Sequence, residues 1–183
     1  MAACYGIFLY EGKCHGVGER YAIHLWLVIK RKLKTQDLLR SWDVNNSTMV
    51  DQPLCPLCKA QPDSHEHLFF ECSFSSRVWD CLKVFTGMPN IPSGLNDIVE
   101  CIKHVASSHS IRSVVCKLVF AASCYFIWQE RNGRLFKKIK RSQDQIFELI
   151  KTNVRIKLLT CSFKKTSRDQ QLVDIWKLPS TCI

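Results

Sequence analysis

A chain of 183 residues with 46% hydrophobic content can bury one ordinary core, or one core plus a small satellite held by a metal. Its 26 Lys and Arg against 16 Asp and Glu give a formal charge of +10, which favours an anionic partner over an acidic or purely apolar surface role. Eleven cysteines, an odd number, exclude complete internal disulfide pairing, and the opening MAACYGIFLYEGKCHG lacks the basic and long apolar regions of a secretory leader. The longest apolar run, Ser113 to Gln129, is interrupted by Lys117 and Ser123 and falls short of a bilayer span of roughly 18–20 residues. An intracellular protein, nuclear or cytoplasmic, neither secreted nor membrane-bound, is therefore expected.

The predicted elements follow in chain order. Residues 1–19 are glycine-rich and aperiodic, an irregular lead-in. From Tyr21 to Leu33 a nearly continuous apolar stretch runs into Lys30-Arg31-Lys32, a pattern that predicts a helix with one exposed end. Thr35 reads as the cap of a second short helix, with Asp37 at its positive pole and Leu38, Leu39 and Trp42 as its buried stripe. Asn45, Asn46, Ser47 and Pro53 mark a loop, and after the Cys-rich segment Val78, Trp79, Leu82 and Phe85 recur at helical spacing. The stretch Gly87 to Gly94, with two prolines and two glycines, is the strongest break. Beyond it Ile98, Ile102 and Val105 form one stripe, and Val114 through Trp128 is apolar almost all round. Ser142-x-x-Gln145 opens the amphipathic run Ile146, Leu149, Ile150, Val154, Leu158 as a capping box.

The charge is unevenly placed: residues 1–91 carry 10 basic and 9 acidic side chains, residues 92–183 carry 16 and 7. The cationic surface belongs to the C-terminal half.

The segment CPLCKAQPDSHEHLFFEC has the spacing C-x2-C-x8-H-x4-C. Two ligand pairs separated by a short loop are how a tetrahedral Zn²⁺ site is commonly assembled. Pro56 stiffens the first turn. Asp63 and Glu66 read as an Asp-x-x-Glu capping box that starts a helix near Ser64 and carries His67 and Cys72 toward the ion. Geometry leaves two histidines open. On a regular helix positions five apart diverge by about 140°, whereas His65 and Cys72 would lie within about 20° of each other; a distorted last turn would instead admit His67. Three thiolates and one imidazole leave no position for water or substrate, so one structural Zn²⁺ is expected, with metal binding and folding of residues about 50–75 coupled.

Together YAIHLWLVIKRKLKTQDLLRSW, CPLC, HLFFEC and the following S-x-R-V-W resemble the zinc-binding domain of plant non-LTR (LINE-type) retrotransposon reverse transcriptases. The resemblance runs from about Arg20 to Leu82. Trp128 to Asn132 and Val154-Arg155-Ile156-Lys157 resemble the tail that follows the domain in those polyproteins. It implies the ligand set Cys55, Cys58, His67 and Cys72, with Asp63 where Glu is usual. It also implies an accessory role, binding template RNA or target DNA for a polymerase encoded elsewhere.

No adjacent Asp-Asp pair occurs in the chain, and no carboxylate set suits an endonuclease or RNase H centre. No catalytic residues and no enzymatic activity are expected. Two basic clusters are candidate phosphate contacts: Lys30, Arg31, Lys32 and Lys34, and Arg134, Lys137, Lys138, Lys140 and Arg141. Trp26, Trp42, Trp79 and Trp128 read as core residues before stacking platforms. Cys81, Cys101, Cys116, Cys124 and Cys161 read as buried free thiols. The expected protein is mainly α: a lead-in at 1–19, a zinc-stapled module at 20–86 and a basic helical region at 94–183. The competing reading is a zinc-braced scaffold for protein partners, without nucleic acid; oligomeric state is left open.

Overall fold

One long helix organises the molecule. The computed structural model describes residues 17–40, 53–88, 90–106, 110–161 and 170–179. Within them the chain forms α1 (Val17–Ile29), α2 (Gln36–Arg40), an irregular turn (His67–Glu71) and α3 (Ser73–Lys83), which tightens into a 3₁₀ turn (Val84–Thr86). Then come α4 (Leu95–Ala106), α5 (Ile111–Phe136), α6 (Gln143–Leu158) and α7 (Gln170–Trp176). The architecture is mainly α, as the periodicity predicts; among the described residues β pairing is limited to a bridge between Leu54 and Pro62.

The 26-residue helix α5 is about 39 Å long. Its start is fixed by Ser110, whose hydroxyl accepts the Ser113 N–H at 3.3 Å, the ordinary N-cap arrangement. Its apolar residues face several ways because α1, α3, α4 and α6 all pack on it. Val119, Phe120, Ala122, Cys124 and Ile127 are fully buried, each larger side chain contributing about 1.5–3 kcal/mol. By length and composition α5 could cross a bilayer, contrary to the sequence expectation, because mean hydropathy averages over Lys117 and Ser123. However, 72% of that window is buried inside the fold. It is used here as a core helix.

Helix α1 presents Tyr21, Leu25 and Val28, at i, i+4 and i+7, to α5. Tyr21 meets Tyr125 and Phe126 at ring distances of 5.1 and 6.0 Å, and burial pushes its phenol up to about 12. His24 lies between Tyr125 and Trp128 with neither ring nitrogen hydrogen-bonded. Burial pulls its imidazole down to about 4, so it is a neutral core residue.

Helix α3 places Val78, Trp79 and Leu82 in the core. Phe70, Trp79 and Phe120 form a ring cluster with centroids 5.1 to 6.1 Å apart, tying the irregular turn, α3 and α5 together. The Trp79 indole N–H donates to the Pro92 carbonyl at 2.9 Å. Helix α6 begins with the predicted capping box: Ser142 accepts the Gln145 N–H, and the Gln145 side chain accepts the Ser142 N–H. It buries Ile146, Ile150, Val154 and Leu158.

Three local readings are corrected. Thr35 does not cap α2: its hydroxyl is buried without a partner, and the N-terminus of α2 is served from elsewhere, as described below. Leu38 and Leu39 are 36% and 44% exposed rather than a buried stripe, because α2 is a single turn; Trp42 lies outside the described residues. Helix α7 was not anticipated. Seven residues give too short a pattern to read, yet Leu172, Val173 and Trp176 are buried, and the Trp176 indole donates to the Phe85 carbonyl at 3.0 Å. Gly87 makes the turn beneath it at φ 71°, with no room for a Cβ beside Leu172.

The thiols divide. Cys116 and Cys124 are buried and free, but Cys101 is half-buried and Cys81 exposed. Cys161 is buried and disulfide-bonded rather than free. The core residues of the Cys-rich segment and of α5 to α7 form one continuous cluster.

Candidate metal centre

Two short arms build the site. The first is a hairpin from Pro53 to Asp63. The Cys55 N–H donates to Gln61 O at 2.7 Å and the Asp63 N–H to Pro53 O at 2.9 Å, flanking the Leu54–Pro62 bridge. At its tip the Lys59 N–H closes on Cys55 O at 2.8 Å, which sets Lys59 in the left-handed region at φ 59°. The tip aims backbone N–H groups at sulfur: those of Leu57 and Cys58 toward Cys55, and that of Ala60 toward Cys58 Sγ at 3.5 Å. Such donors stabilise thiolate charge.

The second arm decides between the two histidines. Ser64, not Asp63, starts its helical turn, accepting the His67 N–H at 3.2 Å. The turn ends almost at once: Phe69 (φ −94°, ψ 90°) leaves helical geometry and Phe70 is left-handed at φ 78°, ψ −3°. A left-handed bulky residue costs roughly 1–2 kcal/mol. Burial of the Phe70 ring against Trp79 and Phe120 offsets it. The break lets the Cys72 N–H reach His67 O at 2.6 Å and turns both side chains the same way. On the regular helix assumed from sequence, His65 would have faced Cys72. Instead His65 is 2% exposed, packed 4.9 Å from the Phe69 ring, and burial lowers its pKa.

Cys55, Cys58, His67 and Cys72 bring one ligand atom each to within 4.8 Å of all the others. Cys55 Sγ lies 3.9 Å from Cys72 Sγ, and Cys58 Sγ lies 3.2 Å from His67 Nε2. Zn–S bonds of about 2.3 Å and Zn–N bonds of about 2.0 Å require tetrahedral edges of about 3.5–3.8 Å. The quartet meets them with at most about 1.0–1.3 Å of contraction along its longest edge. The residues form a compact site for one zinc ion, to which His67 would offer Nε2, the ring nitrogen beside Cys58 Sγ. A hydrogen bond from Cys55 holds the Cys72 thiol down to about 5, helped by the N–H groups of Phe74 and Ser75 at the start of α3; the same bond pushes Cys55 up. The bond thus biases the pair toward a thiolate at Cys72, which suits a site whose ligands bind metal as thiolates.

A network that the spacing did not reveal locks the hairpin to α5. Asp63, expected as a helix cap, is 1% exposed and faces Arg131, 2% exposed. Arg131 Nε donates to Asp63 Oδ1 at 3.1 Å, and its Nη2 donates to Oδ2. Asp63 Oδ2 also accepts the Gln36 N–H at 3.1 Å, so this carboxylate caps α2 across 27 residues in place of Thr35. Glu66, expected as the box partner, is exposed and pairs with Arg31 at 2.8 Å.

Beside Arg131, the buried Glu130 accepts from Arg134 Nε at 2.8 Å and from the Arg141 N–H at 2.8 Å, with Arg141 Nη1 at 3.4 Å. Arg134 reaches onward to the zinc hairpin: Nη1 donates to Leu57 O at 2.8 Å and Pro56 O at 3.3 Å, and its guanidinium covers the Phe74 ring at 4.5 Å. Glu130, Arg131, Arg134 and Arg141 therefore form a clamp on the metal module.

The candidate phosphate contacts separate accordingly. Arg134 and Arg141 are engaged in that clamp. Lys137, Lys138 and Lys140 are exposed and make no ion pair among the described residues. Lys30, Arg31, Lys32 and Lys34 are exposed at the end of α1, with Arg31 partly neutralised by Glu66. Lys59, on the hairpin tip, was missed because it stands alone in sequence.

Residues 14–79 match the model of a family described as zinc-binding in reverse transcriptase, a span that contains all four ligands. Nothing matches among curated proteins or among solved structures.

Proposed function

We propose that the chain is a non-catalytic accessory module of a reverse transcriptase of the plant LINE type, bracing a basic surface with one zinc ion so that it binds nucleic acid. The observation that carries the reading is the coincidence of the family match over residues 14–79 with a closed Cys₃His quartet. A shell filled by four protein ligands leaves zinc a structural role. The net charge of +10 and the exposed Lys137, Lys138 and Lys140 support template RNA or target DNA as partner, inside the cell and in company with a polymerase encoded elsewhere.

Salt-titrated binding to DNA and RNA tests it. Neutralising several phosphates predicts a steep linear fall of log affinity with log salt. A flat response, or no binding at low salt, would leave the zinc-braced protein scaffold as the better reading. Polymerase, nuclease and RNase H assays on the chain alone are expected to be blank.

A further inference from the structure

An open groove of about 630 Å³ runs between the zinc hairpin and the end of α5. Its apolar lining includes Leu54, Leu57 and Ile139, and its cationic lining Lys59, Lys138 and Lys140. Among the described residues no carboxylate lines it, and the arginine there, Arg134, is held by Glu130 and the hairpin carbonyls. Leu54 and Ile139 remain 54% and 44% exposed. Phe136, next in sequence to the lining residue Leu135, is 76% exposed, the most exposed of the large hydrophobic residues described. It overlooks a neighbouring groove of about 520 Å³ that shares Leu135 with the first.

We infer that this surface binds single-stranded nucleic acid, with an unstacked base against Phe136 and the backbone phosphates on Lys59, Lys138 and Lys140. The inference rests on the nucleic-acid reading above and deepens it. A duplex hides its base faces in its own stack and would gain nothing from Leu54, Ile139 and Phe136. A single strand offers both a flat apolar face and a charged backbone, the pairing that stacking platforms use. Lys59 adds an independent sign. It occupies a left-handed turn position, φ 59°, where glycine is unstrained. Lys138 is left-handed too, but as the second residue beyond α5 it already complements the helix dipole.

The test is fluorescence anisotropy on the zinc-loaded full chain, with labelled oligo(dT) and oligo(rU) of about 12 nucleotides, within the site sizes of such platforms, and a duplex of equal length. Single strands are expected to bind more tightly than duplex. Phe136→Ala should weaken single-strand binding by about 5- to 150-fold, the worth of one stacked base, with the salt slope unchanged. The triple variant Lys59→Gln, Lys138→Gln, Lys140→Gln should reduce that slope by about 2, at roughly 0.7 per phosphate. All four side chains are exposed, so zinc content and helicity should not change. Tighter duplex binding, an inert Phe136→Ala, or equal competition by oligoglutamate would overturn the single-strand inference while leaving salt-dependent nucleic-acid binding standing. Failure to bind any of the three probes at low salt would remove both.

Discussion

The hairpin and turn that carry Cys55 to Cys72 and the helical stack of α5 and α6 solve the same problem by different means. The first is short and irregular in both arms, one of which contains a left-handed phenylalanine, and four ligands converge on one point. The second is regular, capped at Ser110 and Ser142, and held by side chains at helical spacing. What the comparison teaches is that they are not independent units. Phe70, Trp79 and Phe120 make one ring cluster across the divide, and Arg131 and Arg134 reach from α5 to Asp63 and Leu57.

Metal removal should produce the largest effect. Structural zinc is worth on the order of 10 kcal/mol in small zinc modules. Chelation, or Cys72→Ser, is expected to lower the melting temperature of the whole chain in a single transition and to collapse the near-ultraviolet signal of Trp79. Two separated transitions in calorimetry, with α5 and α6 melting unchanged, would break the claim that the regions share a core. Metal analysis should give one zinc per chain, lost in Cys55→Ser, Cys58→Ser, His67→Ala and Cys72→Ser and retained in His65→Phe.

The buried pair comes next. Arg131→Met or Asp63→Asn leaves one charged or polar partner stranded in a site at most 2% exposed, a loss of about 3–5 kcal/mol. Replacing both by apolar residues should cost less than the two single changes together. Urea unfolding of the four species measures this; strict additivity would mean that the pair does not couple hairpin to helix.

The same pair shows where the sequence stops being legible. The ligand quartet lies within eighteen residues, so its spacing speaks directly of convergence. The stripe Ile146, Ile150, Val154, Leu158 follows a 3.6-residue period, so its burial could be read. Asp63 and Arg131 are 68 positions apart and Arg134 and Leu57 are 77 apart. No local pattern encodes those meetings, and Asp63 reads as a cap because it stands where a cap would. The choice of His67 over His65 depended on a backbone break at Phe69 and Phe70, whose cause is packing against Trp79 and Phe120, again non-local.

Acid should distinguish the regions by a smaller amount. His24, on the α1–α5 face, is neutral when folded because burial pulls it to about 4 from the ordinary 6.5. The unfolded chain binds the proton first as pH falls. His24 therefore lets stability drop progressively from about pH 6.5 down to about pH 4, with no further loss below. Between pH 7 and pH 5 the loss due to this residue is about 2 kcal/mol. Measured by urea unfolding with zinc in excess, His24→Phe should shrink the pH 7 to pH 5 difference by that amount. An unchanged difference would place the acid sensitivity at other groups, such as the buried His65 or the metal ligands.

The finest test uses two hydroxyls that one sequence rule treats alike. Ser142 and Thr35 both stand before a helix with an acidic residue in its first turn, and both read as caps. Ser142 makes the bond, and Ser142→Ala should cost about 1 kcal/mol. Thr35 does not, since the Asp63 carboxylate has taken the Gln36 N–H and the threonine hydroxyl is buried with no partner. Thr35→Val keeps the shape and removes an unsatisfied polar group, so it should be neutral or stabilising. Urea midpoints of the two variants would show whether a local rule governs α6 while a contact from 27 residues away overrides it at α2. A loss in Thr35→Val as large as that in Ser142→Ala would return the cap to Thr35 and reduce Asp63 to a partner of Arg131 alone.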